Sequence, residues 1–129
     1  MQLREYALRF IDAVDDDLYI VDALLGDPEA PDSGIGFHCQ QAVEKLLKAL
    51  LAERGVHFRR SHDLGYLFHL VAGSGAPAPA HLEGLASLYS FAAILQYGSL
   101  GAVPAFDRRH TRQLIEELRA WVTEQVTAP

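Results

Sequence analysis

The chain has too few cysteines for a disulfide framework, because Cys39 is the only one among its 129 residues. A single thiol forms no internal disulfide, which fits a reducing compartment, and we expect Cys39 to be a packed thiol. No apolar run approaches the roughly 18 residues that a membrane span requires. The N-terminal residues lack an apolar segment followed by a small-residue cleavage site, so we expect no signal peptide. These absences predict a cytoplasmic protein that does not enter a membrane.

The chain is also short of positive charge, with a formal net charge of -6. Residues 1–32 carry nine acidic and two basic side chains, whereas the remaining residues carry eight acidic and nine basic ones. Phosphates repel an acidic protein, so the composition disfavours general binding of duplex nucleic acid. A local basic surface remains compatible with the part of the chain beyond residue 32.

Apolar residues recur at spacings of three and four along most of the chain, which is the pattern of amphipathic helices. Gly55 is typical of a helix C-terminal stop, and Ser61 and Asp107 are of the types that cap helix N termini. The predicted helices cover residues 2–25, 35–54, 62–72, 79–97 and 108–126. No segment alternates as a strand would. The sequence therefore predicts one all-α domain over residues 1–129, an antiparallel up-and-down four-helix bundle with an additional short helix.

The second predicted helix has one sharply polar face. Successive residues turn by about 100° around a helix, so four polar side chains share an arc of about 100°. They are Gln41, Glu44, Lys45 and Lys48. One interpretation is a solvated stripe, stabilised by the Glu44–Lys48 pair one turn apart. The other is a binding site, in which two ammonium groups hold a phosphate while Gln41 or Glu44 orients it.

Two stretches of sequence carry a family resemblance. Residues 37–51 read Phe-His-Cys-Gln-Gln-Ala-Val-Glu-Lys-Leu-Leu-Lys-Ala-Leu-Leu, and residues 59–64 read Arg-Arg-Ser-His-Asp-Leu. The first resembles the signature helix of HEPN domains, named for higher eukaryotes and prokaryotes nucleotide-binding. The second resembles the Thr/Ser-His-Asp-Leu opening of the next helix in that family. The resemblance extends in order and spacing over essentially the whole chain.

The resemblance implies an antiparallel helical bundle that usually forms a homodimer. Members often act beside a minimal nucleotidyltransferase, encoded separately or fused, and others are metal-independent ribonucleases, many of them toxins. We therefore expect no cofactor and no metal. Matching the family's polar positions one by one gives a ligand-binding set of six residues. They are Gln41, Glu44, Lys45, Lys48, His62 and Asp63.

The sequence departs from the ribonuclease branch of the family in two places. That branch has an arginine followed, after four to six residues, by a histidine, and no arginine in this chain has a histidine at that distance. Such chemistry needs the histidine to move a proton and the arginine to stabilise the phosphate charge. In addition, Gln96-Tyr97-Gly98 stands where the family carries Arg-Tyr-Pro. Both departures predict that the chain has no catalytic residues of its own.

The sequence leaves three functions open. The favoured one is a non-catalytic HEPN protein, in a toxin–antitoxin type of system, that binds a nucleotide or RNA or docks a nucleotidyltransferase. The second is a ribonuclease with a non-standard set, such as His62 with Arg59 or Lys48. The third is a purely structural homodimer whose polar stripe serves only solubility.

The sequence also contains two groups of basic residues and five tyrosines. The basic residues around the turn after the second helix leave two interpretations, a nucleic-acid contact and a solvated loop, and the lack of an interleaved stacking platform favours the solvated loop. They are Arg54, His57, Arg59, Arg60 and His62. A second basic group opens the last helix, where cations oppose the helix dipole, and its alternatives are a solvated turn and an anion or partner contact. It comprises Arg108, Arg109, His110 and Arg112. The five tyrosines are predicted to be mostly core or interface aromatics.

Overall fold

The computed structural model describes residues 3–92 and 106–129 of the chain. It contains α1 (Leu3–Leu24), α2 (Asp32–Glu53), α3 (Leu64–Gly73), a 3-10 helix (Ala80–Leu88) and α4 (Arg108–Thr127). Every regular element within those two ranges is a helix, so the all-α prediction is confirmed. No helix within them is long and apolar enough to cross a membrane.

The central element is α2, which packs against α1, α3, α4 and the 3-10 helix. Its leucines therefore meet neighbours on several sides, and Leu46, Leu47, Leu50 and Leu51 are all completely buried. A helix surrounded in this way leaves only a narrow strip for polar side chains. The position of α2 thus decides where the candidate site can lie.

The fourth predicted helix is only partly an α-helix. Residues 80–88 form a 3-10 helix, residues 89–92 continue as α-helix, and the rest of the prediction lies outside the described residues. The reason is visible in the sequence, because the buried Leu82, Leu85 and Leu88 are spaced by three. A 3-10 helix has three residues per turn, so this spacing places all three leucines on one edge facing the core.

Helix ends follow the predicted capping residues in two of three cases. Gly55 has φ +71°, and the amides of Gly55 and Val56 donate to Ala52 and Leu51 carbonyls, which ends α2 as a Schellman motif. Asp107 caps α4 by accepting from the His110 amide at 3.0 Å. The prediction of Ser61 as a cap is wrong. Asp63 caps α3 instead, and the Ser61 hydroxyl accepts from the Asp63 amide.

Two arginines predicted in basic surface groups fasten the bundle. Arg54 donates to the carbonyls of Val71 and Ala76 at the end of α3, so it is not part of a solvated loop. Arg108 donates to the carbonyls of Leu24, Asp27 and Ala30 and so fixes the α1–α2 connection. In both cases a guanidinium satisfies carbonyl groups that a helix end or turn leaves without partners.

The second basic group also includes Arg112. Arg112 is paired with Asp22 on α1 and with Glu116, so its guanidinium, like that of Arg108, contacts groups of the chain itself, and the anion or partner contact stays a prediction for this group. Tyr6, Tyr19 and Tyr89 are exposed, so these three are not core residues, and their alternative role as interface aromatics stays a prediction.

We predict that Gly36→Ala destabilises the fold by about 1–3 kcal/mol, the usual result of overpacking a core. A Cβ atom at Gly36 would lie 2.5 Å from the buried Phe91 ring. Gly34→Ala is the matched control on α2, because its Cβ would meet only Pro31 at 3.9 Å. It should be neutral or stabilising by up to about 1 kcal/mol. Urea unfolding measures both, and equal stabilities would refute the close packing of Phe91 on α2.

Candidate functional site

The polar face of α2 divides into two clusters of charged side chains. Glu44 and Lys45 are adjacent in sequence and diverge by about 100° around the helix. Lys45 reaches Asp17 on α1, whereas Glu44 reaches His62 in the segment before α3. The polar stripe predicted from the sequence is therefore anchored on both sides of α2.

The first cluster, which we call the Glu44 cluster, consists of Gln40, Glu44, Lys48 and His62. The Glu44 side chain lies at the edge of the hydrophobic core, and only 6% of the residue is exposed to solvent. Its Oε1 accepts from Gln40 Nε2 at 2.9 Å and from His62 Nδ1 at 2.8 Å. Its Oε2 accepts from Lys48 Nζ at 3.1 Å. All three donors converge on one carboxylate.

These contacts decide the ionisation of Glu44. Burial by itself raises the pKa of Glu44, but hydrogen bonds from Gln40, His62 and Lys48 outweigh it, and the net pKa lies below the ordinary value. The carboxylate is therefore charged at neutral pH. Because an ionised carboxylate only accepts hydrogen bonds, we assign the proton of the neutral His62 ring to Nδ1. The His62 side chain remains 55% exposed.

The second cluster, the Asp17 cluster, consists of Asp17, His38 and Lys45. Asp17 lies on α1 and is also only 6% exposed. Its Oδ1 accepts from His38 Nδ1 at 2.9 Å, and its Oδ2 accepts from Lys45 Nζ at 2.6 Å. The same chemistry thus occurs twice. In each cluster a buried carboxylate accepts from an imidazole on one oxygen and from an ammonium on the other.

The remaining predicted site residues lie close to these clusters. Gln41 donates to the Gln40 side-chain oxygen at 2.7 Å and occupies the helix face between Lys45 and Lys48. Asp63 lies next to His62, but its carboxylate accepts from the Tyr66 amide and caps α3. Four of the six predicted residues therefore lie on one face of α2, His62 contacts that face through Glu44, and Asp63 caps α3 instead.

Sequence reasoning missed three residues of the clusters, Asp17, His38 and Gln40. A signal existed for each. Asp17 interrupts an apolar series on α1 at a position where the spacing of Phe10, Ala13 and Ile20 calls for an apolar residue. Gln40 precedes Glu44 by one turn, and His38 precedes Lys45 by two turns, so both share a face with residues already identified.

The segment between α2 and α3 adds cations packed on aromatic rings. Lys48 Nζ lies 5.8 Å from the centre of the Phe58 ring, and the Arg59 guanidinium lies 3.9 Å from the centre of the Tyr66 ring. Such contacts hold a cation in place. Because Arg59 covers a face of Tyr66, that ring is not an open stacking platform for a base.

Cys39 lies on α2 beside these residues and is fully buried. Burial raises the pKa of the Cys39 thiol to about 12. The thiol therefore stays protonated at neutral pH and is a poor nucleophile or metal ligand, which confirms the predicted packed thiol. Across residues 3–92 and 106–129, no three His, Cys, Asp or Glu side chains are placed to hold a metal ion.

Comparison with known proteins identifies the family. The HEPN domain family matches residues 33–125, which include α2, the segment before α3 and most of α4. The chain belongs to the HEPN family. The residues of the Glu44 cluster all lie within the matched part, whereas Asp17 lies before it.

One curated relative is similar over part of its length. A protein of Methanocaldococcus jannaschii named "Putative toxin MJ1304" is 39% identical over 69 residues, which cover 54% of this HEPN chain. The aligned part spans 39% of that relative. No solved structure matches this chain at a significant level.

We predict that Glu44→Gln destabilises this HEPN protein by about 1.5–3 kcal/mol at pH 7, because charge-assisted hydrogen bonds to a buried carboxylate are lost. Since the folded pKa of Glu44 is lowered, ionised Glu44 stabilises the fold above its ordinary value of 4.5. That stability is lost as the pH falls through the lowered folded pKa. Urea unfolding at several pH values should therefore show wild type and variant converging in acid.

Glu117→Gln is the matched control, because Glu117 also accepts from a histidine, His81, but both side chains are about half exposed. It should change stability by no more than about 0.5 kcal/mol. A Glu44→Gln protein as stable as the control at pH 7 would contradict the described role of the buried carboxylate.

Proposed function

We propose that this chain is a non-catalytic HEPN protein of a toxin–antitoxin type of system, which binds a nucleotide or docks a minimal nucleotidyltransferase. The observation that carries the proposal is the fixed position of Lys45 and Lys48. They are the only two lysines of the chain, and each donates to a nearly buried carboxylate while part of its side chain stays exposed. Gln41 lies between them.

Lysines whose side chains are already ordered favour binding, because less conformational entropy is then lost when a ligand binds. An ammonium group has three N–H donors, and Asp17 or Glu44 accepts only one of them. The remaining donors are available to a phosphate or to an acidic group of a partner protein. A purely solvated stripe would not require two buried carboxylates to hold it.

The relative supports the biological setting of this proposal. That protein is named "Putative toxin MJ1304", and the part that it shares with this chain is 39% identical. In this proposal the chain acts as a binding component that recognises its ligand or partner without cleaving RNA. The absence of the Arg-x4–6-His motif in the full sequence is the reason for proposing a non-catalytic protein.

A ribonuclease is the second candidate, and one observation favours it. Glu44 holds the Nδ1 side of His62, so the Nε2 side of the half-exposed ring is directed away from that carboxylate. A carboxylate that orients an imidazole in this way is a known arrangement for a general base. RNA cleavage by pure protein in chelator, abolished in His62→Ala, would establish this function. Intact RNA would contradict the ribonuclease function and leave the binding function as the proposal.

A homodimer is part of the same proposal. The outward side of α1 carries an apolar patch among charged residues, an open depression lined by Tyr6, Arg9, Phe10 and Ala13. The Tyr6 and Phe10 rings pack edge to face at 5.0 Å. Covering exposed apolar groups of this kind with a second protein surface lowers the free energy, which favours a dimer.

We predict that Lys45→Ala with Lys48→Ala abolishes nucleotide-induced thermal stabilisation and recovery of a nucleotidyltransferase by affinity purification from native extract. Arg4→Ala with Arg109→Ala removes the same charge from exposed positions on α1 and α4 and should change neither result. Reductive methylation gives a second readout, because a bound ligand should protect the only two lysines. Identical behaviour of wild type and the double lysine variant would refute the proposed function and favour a purely structural bundle.

We predict that wild-type protein is a dimer at micromolar concentration and that Tyr6→Glu makes it monomeric. Tyr89→Glu is the control, because Tyr89 is exposed to a similar degree, 42% against 45% for Tyr6, and lies away from α1. Light scattering after gel filtration measures both. A monomeric wild type, or a Tyr6→Glu variant that remains dimeric, would show that this face of α1 is not the interface.

A further inference from the structure

Only Lys45 of the Asp17 cluster is among the residues that the family resemblance selects, yet the cluster repeats the chemistry of the Glu44 cluster. Both use a carboxylate that is 6% exposed, an imidazole bound through Nδ1 and a lysine on the second oxygen. The His38 side chain is 28% exposed and that of Lys45 is 30% exposed. The cluster is therefore buried at its carboxylate and open at its imidazole and ammonium.

We propose that the Asp17 cluster is a subsite for a phosphate monoester, with His38 Nε2 and Lys45 Nζ as the groups that contact the phosphate. The proposal rests on the proposed nucleotide-binding function and narrows its ligand to one with a terminal phosphate. It adds Asp17 and His38 to the candidate site.

The ring orientation supports this assignment. Asp17 accepts from His38 Nδ1, so the neutral ring carries its proton there and presents Nε2 as an acceptor. The two nitrogens of an imidazole point in divergent directions, so Nε2 is directed away from Asp17. The Phe37 ring packs edge to face against His38 at 5.3 Å and further restricts the ring.

Charge determines which ligand fits. Among the described residues, the charged groups in contact with His38 and its partner carboxylate are Asp17 from α1 and Lys45 from α2. Their charges cancel, so with a neutral imidazole the cluster carries no net charge. A proton on the imidazole gives the cluster the positive charge that a phosphate dianion requires.

A phosphate monoester brings that proton with it. Its second pKa is about 6, so near that pH a large fraction of the ester is a monoanion that carries one P–O–H group. On binding, the O–H bond of the phosphate breaks, an N–H bond forms at His38 Nε2, and the phosphate becomes a dianion beside an imidazolium and Lys45. An internal phosphodiester has no such proton to give. The subsite should therefore prefer a monoester over a diester.

The test uses AMP as the monoester, adenosine as the ligand without phosphate, and the dinucleoside monophosphate ApA as the diester. The variant is His38→Asn, whose amide can still donate to Asp17 but which has no Nε2. The matched control is His81→Asn, because His81 also pairs with a glutamate, Glu117, but through Nε2 and at an exposed site. Calorimetry at about pH 6.5, near the pKa of histidine, gives the affinities.

We expect wild type and His81→Asn to bind AMP equally and His38→Asn to bind it about tenfold more weakly or worse, the effect of one charge-assisted hydrogen bond. Adenosine and ApA should bind more weakly than AMP. Nitrogen NMR of the wild-type rings gives an independent readout that does not depend on the folding of a variant. Addition of AMP should shift the population of His38 from the Nδ1–H form towards the doubly protonated form, and it should leave His81 unchanged.

Any other outcome contradicts the proposed phosphate subsite. Equal AMP affinity in wild type and His38→Asn, or equal binding of AMP and adenosine or ApA, would remove it while leaving the proposed function in place. Failure of wild type to bind AMP, with no change at His38, would remove both the subsite and the nucleotide-binding part of the proposed function. Recovery of a nucleotidyltransferase would then still decide the docking part separately.

Discussion

The site depends on two carboxylates that are nearly buried against the central helix. A buried carboxylate without partners would cost several kcal/mol, so its neighbours must supply charge and hydrogen bonds. Asp17 and Glu44 meet this requirement in the same way, each with one lysine and one histidine. The side chains that stabilise the two carboxylates are also the ones left at the surface. Stability and candidate function therefore depend on the same contacts.

The clusters also tie parts of the fold together. Asp17 joins α1 to α2, and His62 joins the segment before α3 to α2, while Gln40 donates to the His62 carbonyl as well. A change in either carboxylate would shift helix packing and the polar face together. The signature helix of this HEPN protein is α2, against which the surrounding helices pack. Its polar residues contact Asp17 of α1 on one side and His62, before α3, on the other.

Much of this could be predicted from the sequence. Helix spacing and the caps at Gly55 and Asp107 identified the helices, because these signals depend on residues close in the chain. The polar face of α2 was also visible, but not its division into two clusters, since Asp17 and His62 are 28 and 18 residues from their partners. The 3-10 helix was missed because spacings of three occur in both helix types. The roles of Arg54 and Arg108 depend on carbonyl groups that only the folded chain brings near them.

A double-mutant cycle between Asp17 and Lys45 tests the central claim most directly. Asp17→Asn, Lys45→Gln and the double variant are compared with wild type by urea unfolding at neutral pH. If the carboxylate is buried and neutralised as described, the two substitutions are coupled by more than about 1 kcal/mol. Substitutions that add within about 0.5 kcal/mol would show that the two side chains act independently and would contradict the account.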